Sequence, residues 1–395
     1  LSLKRQLLVS FGVQGAGAAS VLLATLWLGA SLGPEVQGGF SRSKSEVEFI
    51  AAFAMFGLPQ ALFFHVKSGG LNGRAALRWV MWSAILALPI GAGWAAVRHG
   101  PIGALSLLVG LAVAAGVAQG ELRAQLLVLE RTGWFNAVTA LPQVLVLAGV
   151  ALVIAAAAPP LPATWFVVFG VAFGATALLA WYRLHTTLDA LGASRVGWRA
   201  LGHYGLAAWL TAALSTAAVV AVQRWVEATQ GRAALGQFTL AMTLVQVPLT
   251  PISYAAPLLF RRWMERPGAQ ASRRWSAGLF LMLLAIAAGV GMLSTRWPDL
   301  GLGAAYAGAA QALALLLVGG AAEAASRVLT VQASATGLPW VAVRAEAARW
   351  GVLAVGWFAP LPPGLLPLCA VWSAAAVAAA VVFAWHGRRA ARSAR

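Results

Sequence analysis

Apolar residues run in long unbroken stretches along the whole chain, separated by short polar or Pro/Gly-rich segments. A membrane-crossing helix needs about 20 consecutive apolar residues. Twelve stretches meet that length, near 6–30, 48–66, 77–97, 102–122, 134–157, 164–185, 201–222, 235–260, 275–295, 304–325, 340–358 and 365–385. Pro and Gly mark the breaks at Gly33-Pro34, Gly100-Pro101, Pro159-Pro160-Leu161-Pro162 and Pro360-Leu361-Pro362-Pro363. Tryptophans recur near the stretch ends (Trp79, Trp134, Trp165, Trp198, Trp275, Trp297, Trp340, Trp385), as in an interfacial aromatic belt. The pattern predicts an all-α polytopic membrane protein of about twelve transmembrane helices, with no loop long enough for a separate soluble domain.

Composition excludes the soluble alternative. Of 395 residues, 61% are hydrophobic and 10% charged, where a soluble domain carries about 25% charged residues. So few charges cannot make a water-facing surface. The first apolar stretch is too long for a cleavable signal peptide. The chain opens with Leu1, so a trimmed start or a non-standard start codon is expected.

Charge sets the orientation. The net charge is +17. With the N-terminus inside, 22 Lys and Arg fall on inner faces and 6 on outer ones (Arg42, Lys44, Arg98, Arg224, Arg232, Arg296). By the positive-inside rule both termini are cytoplasmic. An anionic substrate or anionic lipid headgroups would add a use for the excess of cations. The basic residues are dispersed between apolar spans, so no nucleic-acid partner is expected. The single Cys369 has no Cys or His at metal-ligand spacing, and the five His are scattered near span ends. No cofactor or metal site is expected.

Sliding the chain on itself by 198 residues aligns Trp27 with Trp225, Gly33 with Gly231, Gly38 with Gly236, Phe40 with Phe238 and Pro59 with Pro257. In each copy a helix ends near Trp, a Gly-containing loop turns the chain, and a second helix carries a Pro that bends it. The shift spans six helices, an even number, so the copies share one orientation. That predicts two parallel six-helix lobes, residues 1–198 and 199–395, with a substrate path between them.

The segment Leu32-Gly33-Pro34-Glu35-Val36-Gln37-Gly38-Gly39-Phe40, followed by Gly57-Leu58-Pro59-Gln60-Ala61 and preceded by Gln14, resembles the start of the polysaccharide (O-antigen type) flippases. That family belongs to the multidrug/oligosaccharidyl-lipid/polysaccharide exporter superfamily. Ala234-Leu235-Gly236-Gln237-Phe238 resembles the start of its eighth span. The specific motif covers about the first seventy residues, and family members often have up to fourteen spans. The resemblance implies a multi-pass flippase of the bacterial inner membrane. It would move a polyprenyl-diphosphate-linked oligosaccharide from the inner to the outer leaflet by alternating access, with no covalent step. Its partners would be the lipid-linked oligosaccharide, membrane lipids and the polysaccharide polymerase machinery.

A sugar–diphosphate headgroup crosses hydrocarbon only along a polar, partly cationic path, because unpaired burial of its hydroxyls and charges costs many kcal/mol. If the first, second, seventh and eighth helices line the cleft, as the resemblance implies, the substrate-binding candidates are Arg42, Lys44, Gln60, Lys67, Arg224 and Gln246. Arg and Lys would hold the diphosphate and Gln the sugar hydroxyls. Trp27 and Trp225 are candidates to stack on sugar rings, with interface anchoring the competing account. Glu46, Glu48, Glu121 and Glu323 are candidates for ion coupling. For every one of these charges, snorkelling to the interface or a structural ion pair is the competing account.

Three rival classes share the apolar pattern. A multidrug or cation antiporter of the same superfamily wants a buried carboxylate in the N-terminal lobe, where the first span offers Gln14 and no Asp or Glu. A major-facilitator-type transporter shares the parallel halves, but the loop Gly69-Gly70-Leu71-Asn72-Gly73-Arg74 lacks that class's Asp. A membrane polymerase or ligase would need an outer loop holding nucleophile, base and acid, and no such loop is present.

Overall fold

In the computed structural model, residues 3–67, 73–129, 131–156, 160–185, 198–265, 269–293, 306–335 and 338–393 are described. They form eleven helices: α1 Leu3–Ala54, α2 Leu58–Lys67, α3 Gly73–His99, α4 Ala104–Val128, α5 Thr132–Ala155, α6 Pro162–His185, α7 Trp198–Glu265, α8 Ala269–Leu293, α9 Ala307–Ala335, α10 Trp340–Phe358 and α11 Leu365–Ser393. Among the described residues, eight helical segments are long and apolar enough to cross a membrane. Two of these, Val9–Ala54 and Gly205–Thr250, are 46 residues long, about twice what one crossing needs.

Those two long segments correct the loop expected between the first two spans. Within α1 the non-helical residue is Gly33, at φ 80° and ψ 174°. Within α7 it is Gly231, at φ 82° and ψ 177°. The two positions are the 198-residue equivalents, and both occupy a region of φ/ψ space that is essentially Gly-only. Pro34 then opens the next helical arm, where its missing N–H would have lacked a partner anyway. The polar run 34–44, expected as an outer loop and a span start, is therefore helix. Lys44 lies eleven residues beyond the kink, about 16 Å along the helix at 1.5 Å per residue.

The bend expected around Pro59 is a full break just before it. Phe56 (φ 48°) and Gly57 (φ 69°) leave helical geometry, and α2 starts at Leu58. Gly57 sits against the backbone of Gly205, where a Cβ would overlap the carbonyl. Trp209 Nε1 donates to the Phe53 carbonyl at 2.7 Å, and its ring packs against Phe53 and Phe56 at centroid distances of 5.3 and 5.9 Å. A backbone carbonyl exposed by a break at membrane depth needs such a donor. Pro257, its equivalent at 198, stays within α7, so this break belongs to the first copy.

The chain divides into two compact units. One comprises residues 1–24 and 40–216, the other 25–39 and 217–395. Their boundaries are displaced from 198/199: residues 25–39 pack with the second unit and 199–216 with the first. In the first unit Phe40 packs edge-on against Trp165 at 5.1 Å and tilted on Phe169 at 5.4 Å. Polar side chains cross-link α1 and α5 through Gln14 Nε2 to Asn136 Oδ1 (2.5 Å) and Asn136 Nδ2 to Ser10 Oγ (2.9 Å). Such bonds hold membrane helices together where no hydrophobic force between helices exists.

In the second unit a Cβ on Gly38 would lie 2.8 Å from the Arg232 carbonyl, and one on Gly236 would overlap the Pro34 carbonyl. The contacts are reciprocal, since 34 and 38 are the 198-equivalents of 232 and 236. Two helix arms approach at a pair of matched glycines. Gln37 is fully buried there and accepts from the Tyr306 hydroxyl at 2.5 Å. Trp225 is also buried, its ring tilted against Trp357 at 5.1 Å, which takes it out of the set of ring-stacking candidates. Trp27 is 46% exposed.

Candidate functional site

The first unit encloses a cavity of about 330 Å³. The arm of α1 after the kink presents Lys44 and Glu48 to it, and the break before Pro59 swings Gln60 into its wall. Helix α4 adds Gln119 and Arg123, and α5 adds Thr139 and Gln143. Phe40, Phe169 and Phe173 form an aromatic side. The wall thus pairs hydrogen-bonding amides and two cations with ring faces, a combination that suits an amphipathic solute carrying polar substituents.

Lys44 Nζ lies 3.2 Å from Glu48 Oε1, one helical turn away, and both side chains are more than a third exposed. Such a pair contributes only about 0–1 kcal/mol and is free to exchange partners. Gln119 is buried and donates Nε2 to the Val138 carbonyl at 2.8 Å, which ties α4 to α5 at the cavity wall.

Of the six substrate-binding candidates, the structure brings Lys44 and Gln60 into this cavity. Arg42, on the same arm of α1, is not part of the lining. Lys67 ends α2, and its side chain lies outside the described residues. Arg224 and Gln246 belong to the second unit, which comprises 25–39 and 217–395. Glu227, one turn after Arg224, reaches across the Gly231 kink to Arg232 at 3.6 Å.

The four coupling candidates fall into distinct environments. Glu46 is 2% exposed and accepts from Trp94 Nε1 at 3.2 Å, with Arg98 Nε at 3.9 Å and His99 Nε2 at 3.7 Å. Glu48 is held by Lys44. Glu323 lies in a cluster of the second unit. It pairs with Arg327 Nε at 3.4 Å and with Arg349, which also meets Glu346 at 3.4 Å and lies over the Trp372 ring. Arg327 further donates to Gln246 Oε1 at 2.9 Å. Gln246, expected to bind sugar, is thus occupied inside an ion-pair network. Glu121 is fully buried and accepts from Ser83 Oγ at 2.6 Å. Its Oε1 has no hydrogen-bond partner among the described residues, and neither does Nε2 of nearby Gln125.

The sequence reading placed Gln119 and Arg123 outside the binding set. A signal for them exists: Gly116 and Arg123 of α4 match Gly320 and Arg327 of α9 at an offset of 204 residues, with Gln119 standing where α9 has Glu323. The packing agrees. Gly116 faces Ala51 on the arm of α1 after its kink, and Gly320 faces Val245 on the arm of α7 after its kink.

No protein-family model matches the chain, and no curated protein matches it. Solved structures do. A multidrug resistance MATE family transporter of the MOP superfamily in an inward-facing conformation superposes with a TM-score of 0.70 at 15% identity, covering 98% of each chain. A MATE transporter from Vibrio cholerae gives 0.70 at 16%, covering 99% of this chain and 98% of that one. A MOP superfamily transporter from Pyrococcus furiosus, described as having a binding pocket of reverse polarity that suggests a different function, gives 0.67 at 16%, covering 98% and 94%. The chain has the fold of the MATE transporters of the MOP superfamily.

Proposed function

We propose that the chain is a multi-pass transporter of the bacterial inner membrane that moves a polyprenyl-diphosphate-linked oligosaccharide to the outer leaflet by alternating access. The observation that carries this reading is the cavity of the first unit, where Lys44, Arg123, Gln60, Gln119 and Gln143 face the rings of Phe40, Phe169 and Phe173. Cations suit phosphoryl oxygens, amides suit hydroxyls, and aromatic faces suit the apolar faces of sugar rings. A cavity of this volume holds one or two sugar-sized groups, so the rest of the headgroup and the lipid tail remain outside it. MATE-fold structures in both inward-facing and outward-facing conformations support the mode of transport.

Twelve spans belong to the same proposal. Each of α1 and α7 counts as two crossings, divided at Gly33 and Gly231, and α2 completes the second. Six crossings then lie in each of 1–198 and 199–395, and the Lys/Arg bias puts both termini in the cytoplasm. Glu121 is the coupling residue in this reading, because among the described residues Glu46, Glu48 and Glu323 each have a cationic neighbour. The lipid-linked oligosaccharide, the surrounding lipids and the polymerase machinery are the proposed partners.

A multidrug or cation antiporter is the second reading. It is favoured by the buried carboxylates Glu46 and Glu121 of the first unit, which the first span's sequence did not reveal. Deleting the gene in its native host tests both. Accumulation of lipid-linked oligosaccharide on the cytoplasmic face, with loss of surface polysaccharide, is the expected result. Unchanged lipid-linked sugars together with raised sensitivity to cationic drugs would replace the flippase reading with the antiporter one.

A further inference from the structure

The break between α1 and α2 gives one backbone carbonyl a choice of donors. In an unbroken helix the Phe53 carbonyl takes the amide of Gly57, four residues on. Here Phe56 and Gly57 stand at positive φ, and Trp209 Nε1 donates to that carbonyl at 2.7 Å, with the Phe56 amide more distant at 3.4 Å. Leu58 N donates to the Met55 carbonyl at 2.9 Å. In an unbroken helix that carbonyl would face Pro59, which has no amide hydrogen. Carbonyls at membrane depth must be paired. The segment 53–58 therefore has two discrete arrangements, broken with Trp209 as donor to Phe53 and unbroken with Gly57 as donor.

The second repeat displays the unbroken arrangement. Helix α7 runs on through the 198-equivalents of 54–58 and ends at Glu265, the equivalent of Lys67 at the end of α2. Ala255 stands there in place of Gly57, whose contact with the Gly205 carbonyl leaves no room for a Cβ. The broken arrangement also holds Phe56 at φ 48°, which is unfavourable for a bulky side chain. Trp209 offsets that cost with its N–H and with ring contacts to Phe53 and Phe56. The break shapes the cavity as well. Gly57, Pro59 and Gln60 line it, and so does Ala212, one turn beyond Trp209.

We infer that segment 53–58 is a two-state switch and that Trp209 is its positioning residue: by holding the Phe53 carbonyl it keeps the helix broken and Gln60 in the cavity wall. In the unbroken state α2 continues the line of α1, as α7 does beyond Ala255, and carries Gln60 away. The wall thus offers its amide to a solute in one state only. The inference rests on the transporter reading above and holds whatever solute is carried.

The test is hydrogen–deuterium exchange at the Gly57 amide, on full-length protein in phosphatidylcholine nanodiscs. Trp209→Phe keeps a ring and removes the donor, which favours the unbroken helix. It is expected to slow exchange there by up to about fivefold, the worth of one net hydrogen bond. A break that was merely loosened would exchange faster, so faster or unchanged exchange overturns the switch. Phe56→Gly relieves the positive φ of the broken state. Added to Trp209→Phe, it is expected to return exchange toward the native rate. Complementation of the gene deletion reads the consequence for transport. Trp209→Phe is expected to lower the restored activity by up to about fivefold, and the double variant to recover it, although it has lost still more packing. Unaltered activity in Trp209→Phe, or no recovery in the double variant, overturns the positioning role. The two readings fail separately. Drug sensitivity in place of a lipid-linked sugar defect in the deletion strain sinks the flippase reading, while the switch still stands or falls on exchange and on recovery of that phenotype.

Discussion

The cavity of the first unit and the ion-pair cluster of the second are built on matching helices and end as opposites. Both use the helix arm that follows a glycine kink, Gly33 in one and Gly231 in the other, and both set an arginine against it. In the second unit Arg349 from α10 is 2% exposed and joins Glu323 and Glu346 in ion pairs. In the first unit the equivalent place opens onto solute-sized space. A duplicated framework therefore closes an ion-pair network in one copy and leaves a polar-lined cavity in the other.

The largest expected effect comes from breaking the cluster. Arg349→Ala leaves Glu323 and Glu346 with one cation fewer in a buried setting, and removing one partner of such a network costs about 3–5 kcal/mol. Thermal unfolding in nanodiscs should show it, and adding Glu346→Gln should recover part of the loss. A variant as stable as the native protein would mean that the cluster does not hold the second unit together.

Next come the kinks. Gly231→Ala forces a side chain into the Gly-only region occupied at φ 82° and should cost about 1–3 kcal/mol. Gly33→Ala should cost a similar amount, since the two geometries agree within a few degrees. A cost at one kink only would argue against their equivalence.

Glu121→Gln keeps the acceptor for Ser83 and removes a carboxyl that has no cationic partner among the described residues. Stability should change by less than about 1 kcal/mol, while transport in proteoliposomes loses its dependence on an imposed ion gradient. Retained gradient dependence would remove Glu121 as the coupling residue. The smallest stability effect belongs to Lys44→Ala, whose half-exposed pair with Glu48 contributes about 0–1 kcal/mol. Its consequence should appear as weaker substrate binding, and a lowered unfolding temperature with binding intact would make it structural.

Helices were more legible in the sequence than side-chain partners. The Gly33/Gly231 register was visible because paired Gly, Phe, Trp and Pro are hard to align by chance. That 34–44 is helix was not visible. Its Gly, Pro and polar residues have the composition of a loop, and they are sheltered by partners far along the chain: Tyr306 for Gln37, Arg232 for Gly38, and Trp165 and Phe169 for Phe40. Gln246 and Arg224 were assigned to substrate from a cleft-lining expectation, whereas Gln246 meets Arg327, a residue 81 positions away.

What the order of residues settles here is whatever depends on solvent and on local backbone. Apolar length dictates spans because lipid offers the backbone no hydrogen-bond partners, and only glycine adopts the geometry found at 33 and 231. What waits for the fold is which charges meet. Glu323, partly buried, and Glu121, fully buried, are acids on matching helices, yet one closes on Arg327 and Arg349 and the other accepts from Ser83. That difference arises from side chains supplied by other helices, and Coulomb energies at a few ångströms depend on those placements and on the water they exclude.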